Sequence, residues 1–271
     1  MTQRSADPVG IFDSGIGGLT VTRGVVDRLP FESLLYLGDT ARVPYGNKSP
    51  ETIQRYSLNI SARLQALGAK ALVIACNTAT AAALERVQAE VSVPVVGVIE
   101  PVCQEALQRT QEGCVGVIGT QGTVRSGAYI RALQRLRPDL EVVQQACPLF
   151  VPLAEEGWLR GAVPHEVARA YLARFEGTRV DTLILGCTHY PLLRPVIEEV
   201  IQEVVGRPVL VLDSASATAE ALARVLGEAA LMSPPRHASH RFFVTDDPSS
   251  FQASCDRFFG APLAKIEHID L

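Results

Sequence analysis

Two cysteines in matching settings carry the chemistry that this sequence offers. The stretch L-V-I-A-C-N-T-A-T, Leu72 to Thr80, runs a buried-strand pattern straight into Cys76. Asn77 and Thr78 follow, small hydrogen-bonding residues suited to a helix start. The stretch L-I-L-G-C-T-H-Y-P, Leu183 to Pro191, repeats the arrangement with Cys187. A thiol at the carboxyl end of a strand sits beside free backbone N–H groups. An unperturbed thiol has a pKa near 8.5, so only about 3% is thiolate at pH 7. Two opposed thiols can nonetheless act as a pair. One, as thiolate, removes a proton from a carbon; the other, as thiol, returns a proton to the opposite face. The outcome is inversion of a stereocentre, and the scheme requires neither a metal nor a redox cofactor.

Each thiol needs an assistant. His189 follows Cys187 at a spacing of two residues. As a cation it favours the thiolate, and as a neutral base it relays the proton. Asp13 ends the first strand and is placed to approach Cys76. A lone carboxylate raises a neighbouring thiol's pKa, so its work is proton acceptance or binding of a substrate ammonium. The other cysteines, Cys103, Cys114, Cys147 and Cys255, read as small buried hydrophobes. Glu155 reads equally as surface charge or as part of the site.

The elements that must position these groups are α/β throughout. Val9–Phe12 is a first strand, closed by the glycine-rich turn D-S-G-I-G-G and a helix from Leu19 to about Arg28. Ser33–Leu37 is a second strand, closed by Gly38-Asp39-Thr40. Ser49 is an N-cap with Pro50 at the first helical position, and Ile53, Tyr56, Ile60, Leu64 and Leu67 form its inner face. Further strands are expected at 71–75, 93–99, 115–118, 141–146, 182–185, 208–212, 241–245 and 264–269. The intervening helices start near Ala79, Val102, just after Gly119-Thr120-Gln121-Gly122-Thr123, and near His165, Pro191, Ala217 and Pro248, the third running unbroken to about Leu136; Leu149 to Glu156 leads into Gly157.

Alternating strands and helices imply mostly parallel sheets, with ligands at the carboxyl ends of strands. V-G-I-F-D-S-G resembles V-G-V-I-G-T-Q, and A-L-V-I-A-C-N-T resembles T-L-I-L-G-C-T-H. The pattern therefore reads as two pseudo-symmetric α/β lobes with the active site in the cleft between them. The first lobe takes residues 1–98 and 210–271, the second 99–209, with a crossing near Glu100-Pro101.

Composition excludes several classes. The 271 residues are 47% hydrophobic, with a net charge of −4, which leaves no basic face for nucleic acid. No apolar run approaches the roughly 18 residues of a membrane span, and the start lacks a signal-peptide h-region. A cytoplasmic protein with reduced thiols is expected. No C-x-x-C pair points to zinc. The G-I-G-G loop lacks the lysine of a phosphate-binding loop. A homodimer is compatible with the chain, but no stretch demands one.

Longer motifs resemble the glutamate racemases of the aspartate/glutamate racemase superfamily: G-I-F-D-S-G-I-G-G-L-T-V at Gly10–Val21, G-D-T-A-R-V-P-Y-G at Gly38–Gly46, K-S-P-E-T-I at Lys48–Ile53, A-C-N-T-A-T at Ala75–Thr80 and G-C-T-H-Y-P-L-L at Gly186–Leu193. The resemblance covers nearly the whole chain. It implies cofactor-independent interconversion of L- and D-glutamate, supplying D-glutamate for peptidoglycan. It also implies Cys76 and Cys187 as acid/base thiols, Asp13 and His189 as assistants, and Glu155 as the group orienting His189. Asp13, Ser14, Tyr45, Gly46, Asn77, Thr78, Thr120, Thr188 and His189 match the substrate-binding set. One departure is Ala79-Thr80 where that family often has Ala-Ser; it preserves the hydroxyl. Rival readings are a related racemase or decarboxylase of aspartate or another small acid, a non-catalytic metabolite-binding protein, and a Cys–His hydrolase needing only one cysteine.

Overall fold

The structure, a computed structural model, describes residues 5–263 and 265–271. In chain order its elements are β1 (Val9–Asp13), α1 (Leu19–Arg28), β2 (Leu34–Gly38), α2 (Pro50–Ala66), β3 (Ala71–Ile74), α3 (Asn77–Glu90), β4 (Val95–Gly97) and α4 (Ile99–Arg109). There follow β5 (Cys114–Gly119), α5 (Gln121–Ser126), α6 (Ala128–Leu136), β6 (Glu141–Ala146), α7 (Phe150–Glu155) and α8 (Ala162–Leu172). The chain ends with β7 (Thr182–Gly186), α9 (Arg194–Val205), β8 (Leu210–Asp213), α10 (Ser214–Glu228), β9 (His240–Val244), α11 (Pro248–Phe259) and β10 (Ile266–His268). The expected last strand began at Ala264, which lies outside the described residues.

Contacts divide the chain into two compact units, Met1–Val98 with Ala215–Leu271, and Ile99–Ser214. Among the described residues the first unit holds a sheet ordered β10-β9-β2-β1-β3-β4, and the second a sheet ordered β6-β5-β7-β8. Every pairing in both sheets is parallel. The order β2-β1-β3-β4 and the order β6-β5-β7-β8 are the same arrangement, which gives the internal sequence repeat a structural counterpart.

The strands are central because of their composition. In β1, β2, β3, β5 and β7 every residue is buried, as helices on both faces of a parallel sheet require. In the first unit, Phe12, Leu37, Ile60, Ile74 and Val87 pack together. In the second, Ile118, Phe150, Leu185, Ile197 and Ile201 do so. Each such side chain contributes roughly 1.5–3 kcal/mol of burial free energy. Ser49 caps α2 as expected, accepting from Thr52 N at 3.3 Å, with Pro50 opening the helix.

Several boundaries depart from the sequence reading. The single long helix to Leu136 is two helices, α5 and α6, because Gly127 adopts a left-handed φ of 65°. Ser126 secures the break, donating to Thr123 O at 2.6 Å and accepting from Ala128 N at 3.2 Å. The helix expected from Pro191 begins with a 3-10 turn, Tyr190–Leu193, before α9 starts at Arg194. The strand expected to reach Ile99 stops at Gly97, and α4 opens at Ile99 with Pro101 in its first turn, where a missing N–H costs no helical bond. No helix among the described residues is long and apolar enough to cross a membrane.

Candidate active site

In the first unit, parallel pairing sets Phe12 opposite Ile74. Carrying that register two residues onward brings Ser14 beside Cys76, and the Cys76 thiol donates to Ser14 Oγ at 3.5 Å. The helix expected to start near Ala79 starts at Asn77, so Cys76 is itself the N-cap of α3. Ala79 N donates to its sulfur at 3.4 Å. A helix N-terminus favours the thiolate over the thiol. Asn77 and Thr78, both buried, form the first turn behind the sulfur. Thr80 plays a different part: its hydroxyl donates to Ile74 O at 2.9 Å and accepts from Val98 N at 3.4 Å, tying the end of β3 to the end of β4.

Asp13 closes β1 and is fully buried, with Gly15 N donating to its Oδ2 at 2.9 Å. Its place depends on Gly18. A Cβ there would lie 2.4 Å from Asp13 Cβ and 3.1 Å from Ala75 Cβ. Gly18 has an ordinary helical φ of −60°, so alanine suits its backbone and only the collision remains. Gly18→Ala is therefore expected to displace Asp13 and lower turnover by roughly an order of magnitude or more, and the buried clash is expected to cost about 1–3 kcal/mol of stability while the protein still folds. Wild-type turnover in this variant would show that the position of Asp13 is uncritical.

Tyr45 and Gly46 lie in a loop built on Asp39. The buried Asp39 carboxylate accepts from Arg42 Nε at 2.9 Å, from Thr245 Oγ1 at 2.9 Å and from the Tyr45 hydroxyl. The Arg42 guanidinium also stacks 4.4 Å from the centroid of the Tyr56 ring. Burial, then the Asp39 charge, pushes the Tyr45 phenol far above its ordinary range. The Tyr45 side chain thus serves its own loop. Asp39, taken from the sequence as no more than the close of a strand, is the group that shapes it.

In the second unit, Gly119 pairs with Gly186, which sets Thr120 beside Cys187. Thr120 caps α5, accepting from Thr123 N at 3.2 Å. Gly186 precedes the thiol because a Cβ there would meet Ile118 O at 2.7 Å and Tyr129 Cε2 at 3.0 Å. His189 is buried and bridges two acids. Its Nδ1 lies 3.8 Å from Cys187 Sγ, and its Nε2 lies 3.0 Å from Glu155 Oε1. Thr188 Oγ1 is 3.5 Å from the same Nδ1. Burial opposes charge on the imidazole, but hydrogen bonds to Cys187 and Glu155, and their charges, outweigh it and push its pKa up to about 10. Cys147 stays a thiol, its pKa raised by burial and then by the charge of Cys187.

Laid on the common strand order, the half-sites differ in an instructive way. Ser14 corresponds to Thr120 and Cys76 to Cys187, so each thiol has a hydroxyl neighbour. Asp13 corresponds to Gly119, and Thr78 to His189. Each thiol thus has a neighbouring ionisable side chain that the other lacks. Among the described residues one group could hold a metal ion: His165, Glu199 and Glu203, whose donor atoms lie within 4.8 Å of one another. Neither thiol belongs to it, and Arg169 already reaches Glu203 at 2.9 Å.

A family model described as Asp/Glu/hydantoin racemase matches residues 9–222. A glutamate racemase of Geobacter metallireducens is 52% identical over 264 residues, covering 97% of this chain and 96% of its own. The crystal structure of a glutamate racemase isoform from Bacillus anthracis superposes with a TM-score of 0.92 at 38% identity, over 98% of both chains. That of a glutamate racemase from Francisella tularensis in complex with D-glutamate gives 0.91 at 35%, again over 98% of both.

Proposed function

The chain belongs to the Asp/Glu/hydantoin racemase family, and from that premise we propose that it interconverts L- and D-glutamate with Cys76 and Cys187 as the two acid/base groups. The observation that carries this reading is the occurrence of a thiol at the same register of two sheets of the same order, each beside a hydroxyl. A hydrolase needs one such thiol, and a binding protein needs none.

The reaction runs in two proton transfers. One thiolate removes the α-proton, leaving negative charge spread from the α-carbon into the adjoining carboxylate. The other thiol then protonates the opposite face of that carbon. Charge at the intermediate is stabilised by groups already aimed before reaction, which avoids the cost of reorganising water. The first turn of α3 supplies Asn77 and Thr78, and the start of α5 supplies Thr120; both ends carry the partial positive charge that suits a carboxylate. Ser14 and Thr188 add hydroxyls. The Tyr45 phenol is engaged by Asp39, so the contribution of Tyr45 and Gly46 to a ligand is their backbone. His189, as a cation held by Glu155, assists Cys187, while Asp13 acts on the Cys76 side.

The product supplies D-glutamate for peptidoglycan. A cytoplasmic location keeps both thiols reduced, and no disulfide joins any of the six cysteines. Circular dichroism of L-glutamate incubated with the purified, reduced protein and no added cofactor tests the reading. The signal is expected to decay to zero as the racemate forms. A constant signal from folded protein would move the assignment to aspartate or another small acid.

A further inference from the structure

We propose that Tyr36 is a positioning residue for the proton transfer at Cys76, acting through the Gly15 carbonyl that its hydroxyl holds. The inference rests on the racemase reading and goes beyond the residues that touch substrate. Tyr36 lies in β2, fully buried, and its hydroxyl donates to Gly15 O at 2.8 Å. Its ring is fixed between Phe242 and Phe251, with centroids 6.2 Å from each. The same carbonyl presses against Gly38, where a Cβ would stand 2.4 Å from Gly15 O. Strand β2 therefore grips one carbonyl of the D-S-G turn from two positions.

That grip falls where it controls the site. Gly15 N donates to Asp13 Oδ2 at 2.9 Å. Ser14, the residue before it, accepts from the Cys76 thiol. Glycine at position 15 gives the turn more backbone freedom than any other residue type would. The Tyr36 hydroxyl removes that freedom, and the orientations of Asp13 and Ser14 follow. Burial, with the charges of Asp13 and Cys76 adding to it, holds the phenol far above its ordinary pKa, so it stays a donor throughout the working pH range. No equivalent is needed beside Cys187, where His189 and Glu155 hold each other.

The test is Tyr36→Phe, which keeps the ring and removes only the donor. L- and D-glutamate are equally stable, so any loss in kcat/KM must be the same in both directions; we expect roughly tenfold, since a buried carbonyl is left without its donor. The distinguishing readout is the primary isotope effect with α-deuterated substrate. A higher barrier at Cys76 raises the isotope effect for the enantiomer that Cys76 deprotonates. For the other enantiomer, reprotonation by Cys76 becomes limiting, and the isotope effect falls. Gly38→Ala, which pushes the same carbonyl away, is expected to give the same divergence and serves if Tyr36→Phe does not fold. Unchanged kinetics, or a loss with both isotope effects unaltered, would mean that Tyr36 only packs the core and would overturn the inference. Wild-type protein without racemase activity would instead remove the reading of function, and this inference with it.

Discussion

Cys187→Ala is expected to lower racemisation by at least ~10³-fold in both directions while the protein stays folded, and Cys76→Ala is expected to do the same. The size follows from the chemistry: with one thiol deleted, one face of the α-carbon has lost the group that exchanges its proton. Cys147 is no substitute: burial, the larger of the two causes that raise its pKa, still acts when the Cys187 sulfur is gone, so it cannot supply a thiolate. The fold survives because the deleted sulfur is a small part of its surroundings. Cys76 caps α3, and losing such a cap costs about 0.5–2 kcal/mol, a fraction of a domain's stability. The equality between directions is imposed by the equal stability of the two enantiomers. A further signature separates two-thiol chemistry from general damage. In D₂O, each single-cysteine variant is expected to exchange the α-proton of one enantiomer only, the one facing the remaining thiol, and the two variants are expected to act on opposite enantiomers. Proton NMR of each enantiomer reads this directly. Racemisation by either variant at a rate near that of wild type would end the two-thiol mechanism.

The thiols were legible in the sequence because their signal is local. A continuous apolar run ends in a cysteine, a helix start follows, and the pattern occurs twice. The likeness of the two units was legible for the same reason, as a repeat of strand motifs, while the strand order they share came only from the pairing of the strands. What escaped depends on partners far away in the chain. Asp39 looks like a strand terminus until Thr245 and Tyr45 are seen on its carboxylate, and Tyr36 looks like one apolar residue among the leucines of β2 until its hydroxyl is found on Gly15. Gly127 sits within an apolar pattern that is helical on both sides, so only its φ betrays the break. Cysteine is a poor predictor of an N-cap, which is why α3 was expected to begin after Cys76 had been left behind. The sequence marked Glu155 as equally a surface charge or part of the site, and its position has features of both. The side chain is 42% exposed, and its 3.0 Å contact with His189 is what ties it to the proposed site.

That contact underlies the second large effect. His189→Asn is expected to lower kcat/KM by about 10²-fold near neutral pH, in the range of a lost general acid or base. In the proposed reaction the imidazole serves as a cation. With its pKa raised to about 10, it is protonated at pH 7 and lends positive charge to the Cys187 side. The sign for stability follows. A histidine whose folded pKa exceeds its unfolded value of about 6.5 contributes stability fully below that pH, and the contribution is lost as pH rises through about 10. Activity that depends on the cation should fall over the same alkaline limb. Glu155→Gln removes the charge that sustains the cation yet leaves an oxygen to receive Nε2–H. Its expected effect is a shift of the alkaline limb to lower pH, with the acid limb in place and a smaller loss at neutral pH than in His189→Asn. Half-exposure lets salt screen the Glu155 charge, so the shift should shrink as ionic strength rises. Because Glu155 acts through His189, the double variant should be no worse than His189→Asn alone. Losses that multiply in the double variant would mean that Glu155 works on the substrate directly, and pH–rate profiles of the four proteins decide between the two.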